Sequence, residues 1–225
     1  MKKGKIILAV VAGLLGAVLL TAGIALVVLR VRTASLADNY GYLLEDEAYR
    51  EPVSAEGVRV IKQDVSCGYA VIEMFSAWSG GDLTEETLYG EYGSVVTSTG
   101  DSFCAEMNKR FPEYRTTACK WLRNSELLKL IHDNLSQGVP VPIEWAALSG
   151  EEWTLHYSLV TGMDLSAGRI TVANPYGYWE ELTVDDFLLR TSFEAYEGMP
   201  LFLKFGFAFG LFEKNTAFSV LPAEN

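Results

Sequence analysis

Residues 153–174, WTLHYSLVTGMDLSAGRITVAN, decide how this chain is built. Trp153, Leu155, Tyr157 and Leu159 alternate with Thr154, His156, Ser158 and Val160, the period of two that sends successive side chains to opposite faces of a strand. Asp164 to Gly168 is a turn sequence and Arg169 to Asn174 is extended again, so the stretch predicts an antiparallel hairpin over Trp153–Met163 and Arg169–Asn174. A third extended segment, Val141 to Ala147, precedes it.

Upstream the period changes to that of helices. Ser66 is placed to cap a helix from Cys67 to about Trp78, with Cys67, Val71, Met74, Phe75 and Trp78 on its buried stripe and Gly80-Gly81 at its end. A short helix follows Thr84, and another covers roughly Ser102 to Phe111 before Pro112 stops it. Tyr114 to Cys119 alternates like a strand. Ser125 then caps a helix whose stripe is Leu127, Leu128, Ile131 and Leu135, closed by Gly138. Downstream, Thr183 caps a small helix through Leu189, and Pro200 to Phe209 reads as one more strand. Residues 36–60 look irregular, with a short strand at Val58 to Ile61. Helices first and antiparallel strands later predict an α+β domain.

At the other end, Ile6 to Leu29 runs twenty-four residues without a charge. A bilayer core of ~30 Å needs about 20 apolar residues in a helix, so this segment is long enough to span it. A secretory signal has an apolar run of only ~7–15 residues, which favours an uncleaved anchor. Lys2, Lys3 and Lys5 outweigh Arg30 and Arg32, which puts the N-terminus in the cytoplasm and the rest outside. The expected organisation is a cytoplasmic N-terminus (1–5), a transmembrane anchor (6–29), a linker and lead-in (30–57), one domain (58–210) and a C-terminal tail (211–225). Phe212, Phe218 and Val220 of that tail are free to pack on the domain or on a partner.

Beyond residue 32 the chain holds 13 basic against 29 acidic residues, a net charge of −16. Such a surface repels phosphate backbones, so nucleic acid is excluded as a partner. Two His, three Cys and no CxxC pair make a structural metal an unpromising reading.

Four residues carry candidate chemistry. Cys67 falls in the first turn of a helix, where the partial positive charge stabilises a thiolate nucleophile, although most free cysteines are simply small buried residues. His156 lies on the less apolar face of its strand, where an imidazole can reach a cleft as general base and acid or serve as a structural hydrogen-bonded residue. Asn174 ends the paired strand and would neighbour His156, fixing its tautomer, though Asn before Pro also simply starts turns. Gln63, four residues before Cys67, could donate to an oxyanion together with the Cys67 N–H. His132, beside Asp133 on a helix, reads as a surface residue.

The order Gln63, Cys67, His156, Asn174 is similar to that of papain-like peptidases. The segment Gln63-Asp64-Val65-Ser66-Cys67-Gly68-Tyr69-Ala70 resembles the signature of the bacteriocin-processing, double-glycine-leader peptidases (the C39-like family). So do Gly138 to Ile143, His156-Tyr157 through Asp164, and Ile170 to Pro175, and the similarity spans about residues 58–205. The resemblance implies a papain-like α+β fold, a bacterial source and cofactor-free cleavage of a peptide bond. Cys67 would be nucleophile, His156 base and acid, Asn174 the orienting residue and Gln63 the oxyanion donor, with no metal. Tyr69 stands where the family commonly has Pro, and Asn174 where it commonly has Asp. Transporter-fused members carry further membrane spans after the domain, so this chain resembles a free-standing anchored relative.

Three functions follow. The first is a membrane-anchored cysteine peptidase acting on an exported or cell-surface peptide, which predicts a depressed Cys67 pKa. The others are a non-catalytic peptide-binding module and a thiol-dependent acyltransferase. The acidic domain favours basic residues in a peptide partner. Cys104 and Cys119 are open to two readings, a disulfide or two buried thiols.

Overall fold

The computed structural model describes residues 2–93, 97, 99–193 and 199–223, and side chains from residue 10 onward. Lys2, Lys3 and Lys5, which carry the expected orientation, are therefore outside the described side chains.

A long helix, α1 (Lys2–Ala34), leads into two 3-10 turns, Gly41–Glu45 and Glu47–Tyr49, and a two-residue strand, β1 (Val53–Ser54). Then come α2 (Cys67–Trp78), α3 (Glu85–Tyr92), α4 (Gly100–Arg110), β2 (Tyr114–Cys119) and α5 (Asn124–Leu135). The second half is β3 (Val141–Ser149), β4 (Glu152–Asp164), β5 (Arg169–Asn174), β6 (Tyr178–Thr183), α6 (Val184–Ser192), α7 (Leu201–Ala208) and β7 (Thr216–Pro222). All seven strands form one antiparallel sheet in the order β2-β7-β3-β4-β5-β6, with β1 on β4 beyond the reach of β3.

The alternation along the strands divides the core between two faces. One face carries Ile143, Trp145, Val160 and Val172 under α5 and α6, joined by Leu127, Leu128, Ile131 and Phe187. The other carries Tyr157, Leu159, Ala173 and Phe218 under α2 and α4. In that layer Phe75 of α2 meets Phe111 and Tyr114 edge-on, at centroid separations of 4.8 and 5.4 Å. A wholly buried aromatic of this kind contributes about 3 kcal/mol by leaving water, which is what holds α2 in place.

Several local expectations need correcting. Val58, Val60 and Ile61 pack their side chains on the α2 layer without pairing their backbone, so the short strand is β1 instead. Arg123, not Ser125, occupies the cap position of α5, because the Ser125 N–H and hydroxyl both bond the Asp38 carboxylate. His132 is buried, 6% exposed, since the lead-in folds back and packs Tyr49 against its ring, tilted by 55° at a centroid separation of 4.7 Å. Residues 201–208 form helix, not strand: Leu203, Gly206 and Phe207 share one buried stripe, and Phe207 stacks on Phe193 at 4.2 Å. Tertiary packing here overrides the β propensity of phenylalanine. The chain after residue 210 returns as β7, between β2 and β3, with Phe218 and Val220 in the core and Phe212 packed against the α7 cluster. Cys104 and Cys119 are both free thiols.

Two apolar surfaces face outward. From Val10 to Ala34, α1 is long and apolar enough to cross a membrane and none of its apolar window is buried. Beside it, Leu201, Phe202, Phe205, Phe209 and Leu211 are all more than half exposed, and Gly210 lies against Leu29 of α1.

Candidate active site

The loop entering α2 is held from two sides. Glu85, at the start of α3, accepts hydrogen bonds from the backbone N–H groups of Asp64 (2.7 Å), Val65 (2.9 Å) and Ser66, while its own N–H donates to Glu73 (2.7 Å). On the other side the Gln63 N–H donates to the Pro175 carbonyl at 2.7 Å, which ties the loop to the end of β5. Glu85 is 5% exposed and reads in the sequence only as a favourable acid in a helix's first turn, so its clamp was not legible there.

Ser66 takes the cap position of α2 but turns its hydroxyl to Thr97 (3.1 Å) rather than to the helix N–H groups. Gly68 is what permits this approach: a Cβ there would lie 2.5 Å from the Thr97 side chain. Among the described residues the Cys67 N–H donates to no other residue and lies by its own thiol, while the Gln63 side-chain oxygen is buried without a partner. The Cys67 N–H is thus one orphan donor at the head of α2, of the kind an oxyanion site uses.

The thiol sulfur lies against the backbone at Tyr157, the residue after His156 on β4. Burial pushes the Cys67 thiol up, and nearby Glu144 adds to this, while backbone hydrogen bonds at Tyr157 and Gly68 offset part of it. The depressed pKa predicted from the helix terminus is therefore not found, because desolvation outweighs the helix end.

His156 is 1% exposed and its Nε2 pairs with Asn174 Oδ1 at 3.0 Å. The partners of Asn174 decide the tautomer. Its Oδ1 also accepts from the Tyr176 N–H (2.9 Å), and its Nδ2 donates to the Glu180 carboxylate (2.9 Å), so the amide has a single consistent orientation. Nε2 must then carry the proton, leaving Nδ1 as the basic nitrogen. Tyr176 stacks on the imidazole at 4.1 Å, and Arg190 closes the network by donating to Glu180 and to the Ala146 carbonyl (3.0 Å). Burial lowers the His156 pKa to about 4; the Asn174 bond opposes this and Arg190 adds to it, so the ring is neutral at pH 7.

The same network explains Asn rather than Asp at position 174. A second carboxylate would face Glu180 where Nδ2 now donates. The fold brings the four segments together through the Gln63–Pro175, Cys67–Tyr157 and His156–Asn174 contacts, while no hydrogen bond joins the thiol to the imidazole among the described residues. A neutral imidazole with a free Nδ1 is the form of histidine that can accept a proton from a thiol.

Residues 55–199 match the model of the Peptidase_C39 like family. Among solved structures, the chain is similar to a double glycine motif protease from an AMS/PCAT transporter, determined in complex with the leader peptide. The two are 16% identical with a TM-score of 0.50, over 76% of this chain and 98% of that one, a likeness of fold. No curated protein matches.

Proposed function

The chain belongs to the Peptidase_C39 like family, and from that premise we propose that it is a membrane-anchored cysteine peptidase that hydrolyses a bond in an exported or cell-surface peptide. Cys67 attacks the carbonyl, His156 Nδ1 takes the thiol proton and returns it to the leaving amine, and Asn174 holds the ring. The Cys67 N–H and Gln63 receive the oxyanion. The single observation that carries the reading is the Asn174 amide, locked by Tyr176 and Glu180, which presents His156 with Nδ1 unprotonated.

Anchoring is supported by α1, whose apolar stretch is exposed, and by the apolar surface of α7, which adjoins α1 at Leu29 and would be covered by the same lipid. The test uses the full chain in nanodiscs with a mixed peptide library read by mass spectrometry. Cleavage is expected in the wild type and absent in Cys67→Ala and His156→Ala. Cleavage that survives Cys67→Ala would sink the assignment. A peptide-binding module is favoured by one observation, the lack of a thiol–imidazole hydrogen bond; binding without cleavage, unchanged in Cys67→Ala, would establish it.

A further inference from the structure

Across three adjacent strands, Thr216 of β7, Glu144 of β3 and Tyr157 of β4 stand in register, Glu144 pairing with each of the other two. All three point to the α2 side of the sheet, since their strand neighbours Ala217, Ile143 and Trp145 belong to the opposite core. All three are buried, at 1%, 6% and 5% exposure. Among the described residues the Thr216 and Tyr157 hydroxyls are buried without a hydrogen-bond partner, and the Glu144 carboxylate stands between them. Folded proteins rarely leave one such group unsatisfied, and two orphaned hydroxyls flanking a carboxylate point to a missing ligand.

Their position says which ligand. Tyr157 is the residue whose backbone meets the Cys67 sulfur, and Glu144 acts electrostatically on both Cys67 and Tyr157. The row lies between the aromatic cluster under α2 and α4, where Tyr157 stacks on Phe103 at 4.7 Å, and the cluster of Phe193, Leu203 and Phe207 under α7. At its margin Lys120 is already paired with Asp101 (2.6 Å) and Glu213 (2.9 Å). Lys120 acts on Glu144 only electrostatically, and Glu144 makes no ion pair among the described residues.

We propose that Glu144, Tyr157 and Thr216 form a specificity pocket beside Cys67 for a basic side chain of the peptide substrate, arginine best of all. A guanidinium supplies five donors, enough for the carboxylate and both hydroxyl oxygens at once, where an ammonium offers three. The inference rests on the peptidase reading, because it places the pocket next to the scissile bond.

The experiment uses the full chain in detergent with tripeptidyl acyloxymethyl ketones, in which arginine or norleucine is scanned through the three positions. The rate of Cys67 labelling is read by mass. At one position arginine should outpace norleucine by about tenfold or more, and the ratio should fall towards one in Glu144→Gln. The ratio within each variant removes any general change in thiol reactivity. If arginine has no advantage at any position, or keeps it in Glu144→Gln, the pocket is overturned while the peptidase reading stands. If no ketone labels Cys67, the peptidase reading fails, and equilibrium binding of the same peptides as amides decides the pocket. An arginine preference lost in Glu144→Gln then sustains it, and equal binding overturns it.

Discussion

The two faces of β4 treat their polar groups in opposite ways. On one, His156 is bonded to Asn174, Asn174 to Glu180, Glu180 to Arg190, and Trp145 to Ser158, a connected network that leaves only the His156 Nδ1 open among these groups. On the other, one residue along, the Tyr157 and Thr216 hydroxyls beside Glu144 have none among the described residues. The first face is largely satisfied by folding, and on the proposed reading the second is completed by a bound side chain. A protein maintains unsatisfied buried groups at a cost in stability, which is why they mark function better than satisfied ones do.

The sharpest way to break this comparison is to remove the group that the finished face presents. His156→Ala should lower peptide hydrolysis by about 10²–10⁴-fold, the range of a general acid–base catalyst, while leaving the arginine-over-norleucine labelling ratio intact. Loss of the ratio as well would mean that the two faces are not separate devices.

Next in size is Asn174→Asp. The new carboxylate faces Glu180 across a buried contact, a cost on the order of 3 kcal/mol. Adding Glu180→Gln moves the negative charge one position along the network without changing its sum beside Arg190, and should recover most of the lost melting temperature. A harmless single substitution would refute the explanation for Asn at this position.

Much of this was legible in the sequence. Period-two alternation fixed the hairpin and so put Asn174 beside His156, and the cap and stripe fixed the helix that begins at Cys67. Both signals are local, which is why they survive without coordinates. Glu85, Glu180 and Arg190 act across separations of about twenty, six and forty-four residues, and nothing in their own surroundings announces a partner. The same holds for α7, where the choice of helix depends on Phe193 and Phe212, and for β7, whose place between β2 and β3 is a matter of topology. Glu144 reads in the sequence as one of three acids near the expected cleft, with Glu151 and Glu152, that could favour a basic peptide, and the strand register is what sets it apart beside two orphaned hydroxyls.

The faces should also respond to pH in opposite senses. Burial raises the Glu144 pKa from 4.5 to about 7, so as pH rises through this window the unfolded chain ionises first and stability is lost. The groups facing it are Cys67 and Tyr157, with Glu213 raising and Lys120 lowering its pKa and Asp101 beyond. Glu144→Gln should therefore stabilise by up to about 3 kcal/mol at pH 8 and by nothing at pH 4. His156 has its pKa lowered from 6.5 to about 4, so its penalty appears as pH falls through that interval, and His156→Gln should help only in acid. Thermal melts of both variants at pH 4, 6 and 8 check the crossing.

The smallest effect is the most discriminating, because it compares neighbours in sequence. Ser158 accepts from the Trp145 indole N–H at 3.0 Å, with both residues fully buried. Ser158→Ala strands that donor and should cost about 1–3 kcal/mol. Tyr157→Phe keeps the stack on Phe103 and deletes a hydroxyl that bonds nothing, so it should be neutral or slightly stabilising in the free protein. A tyrosine variant that loses as much stability as the serine variant would mean that its hydroxyl is satisfied in solution, and the distinction between the two faces of β4 would collapse with it.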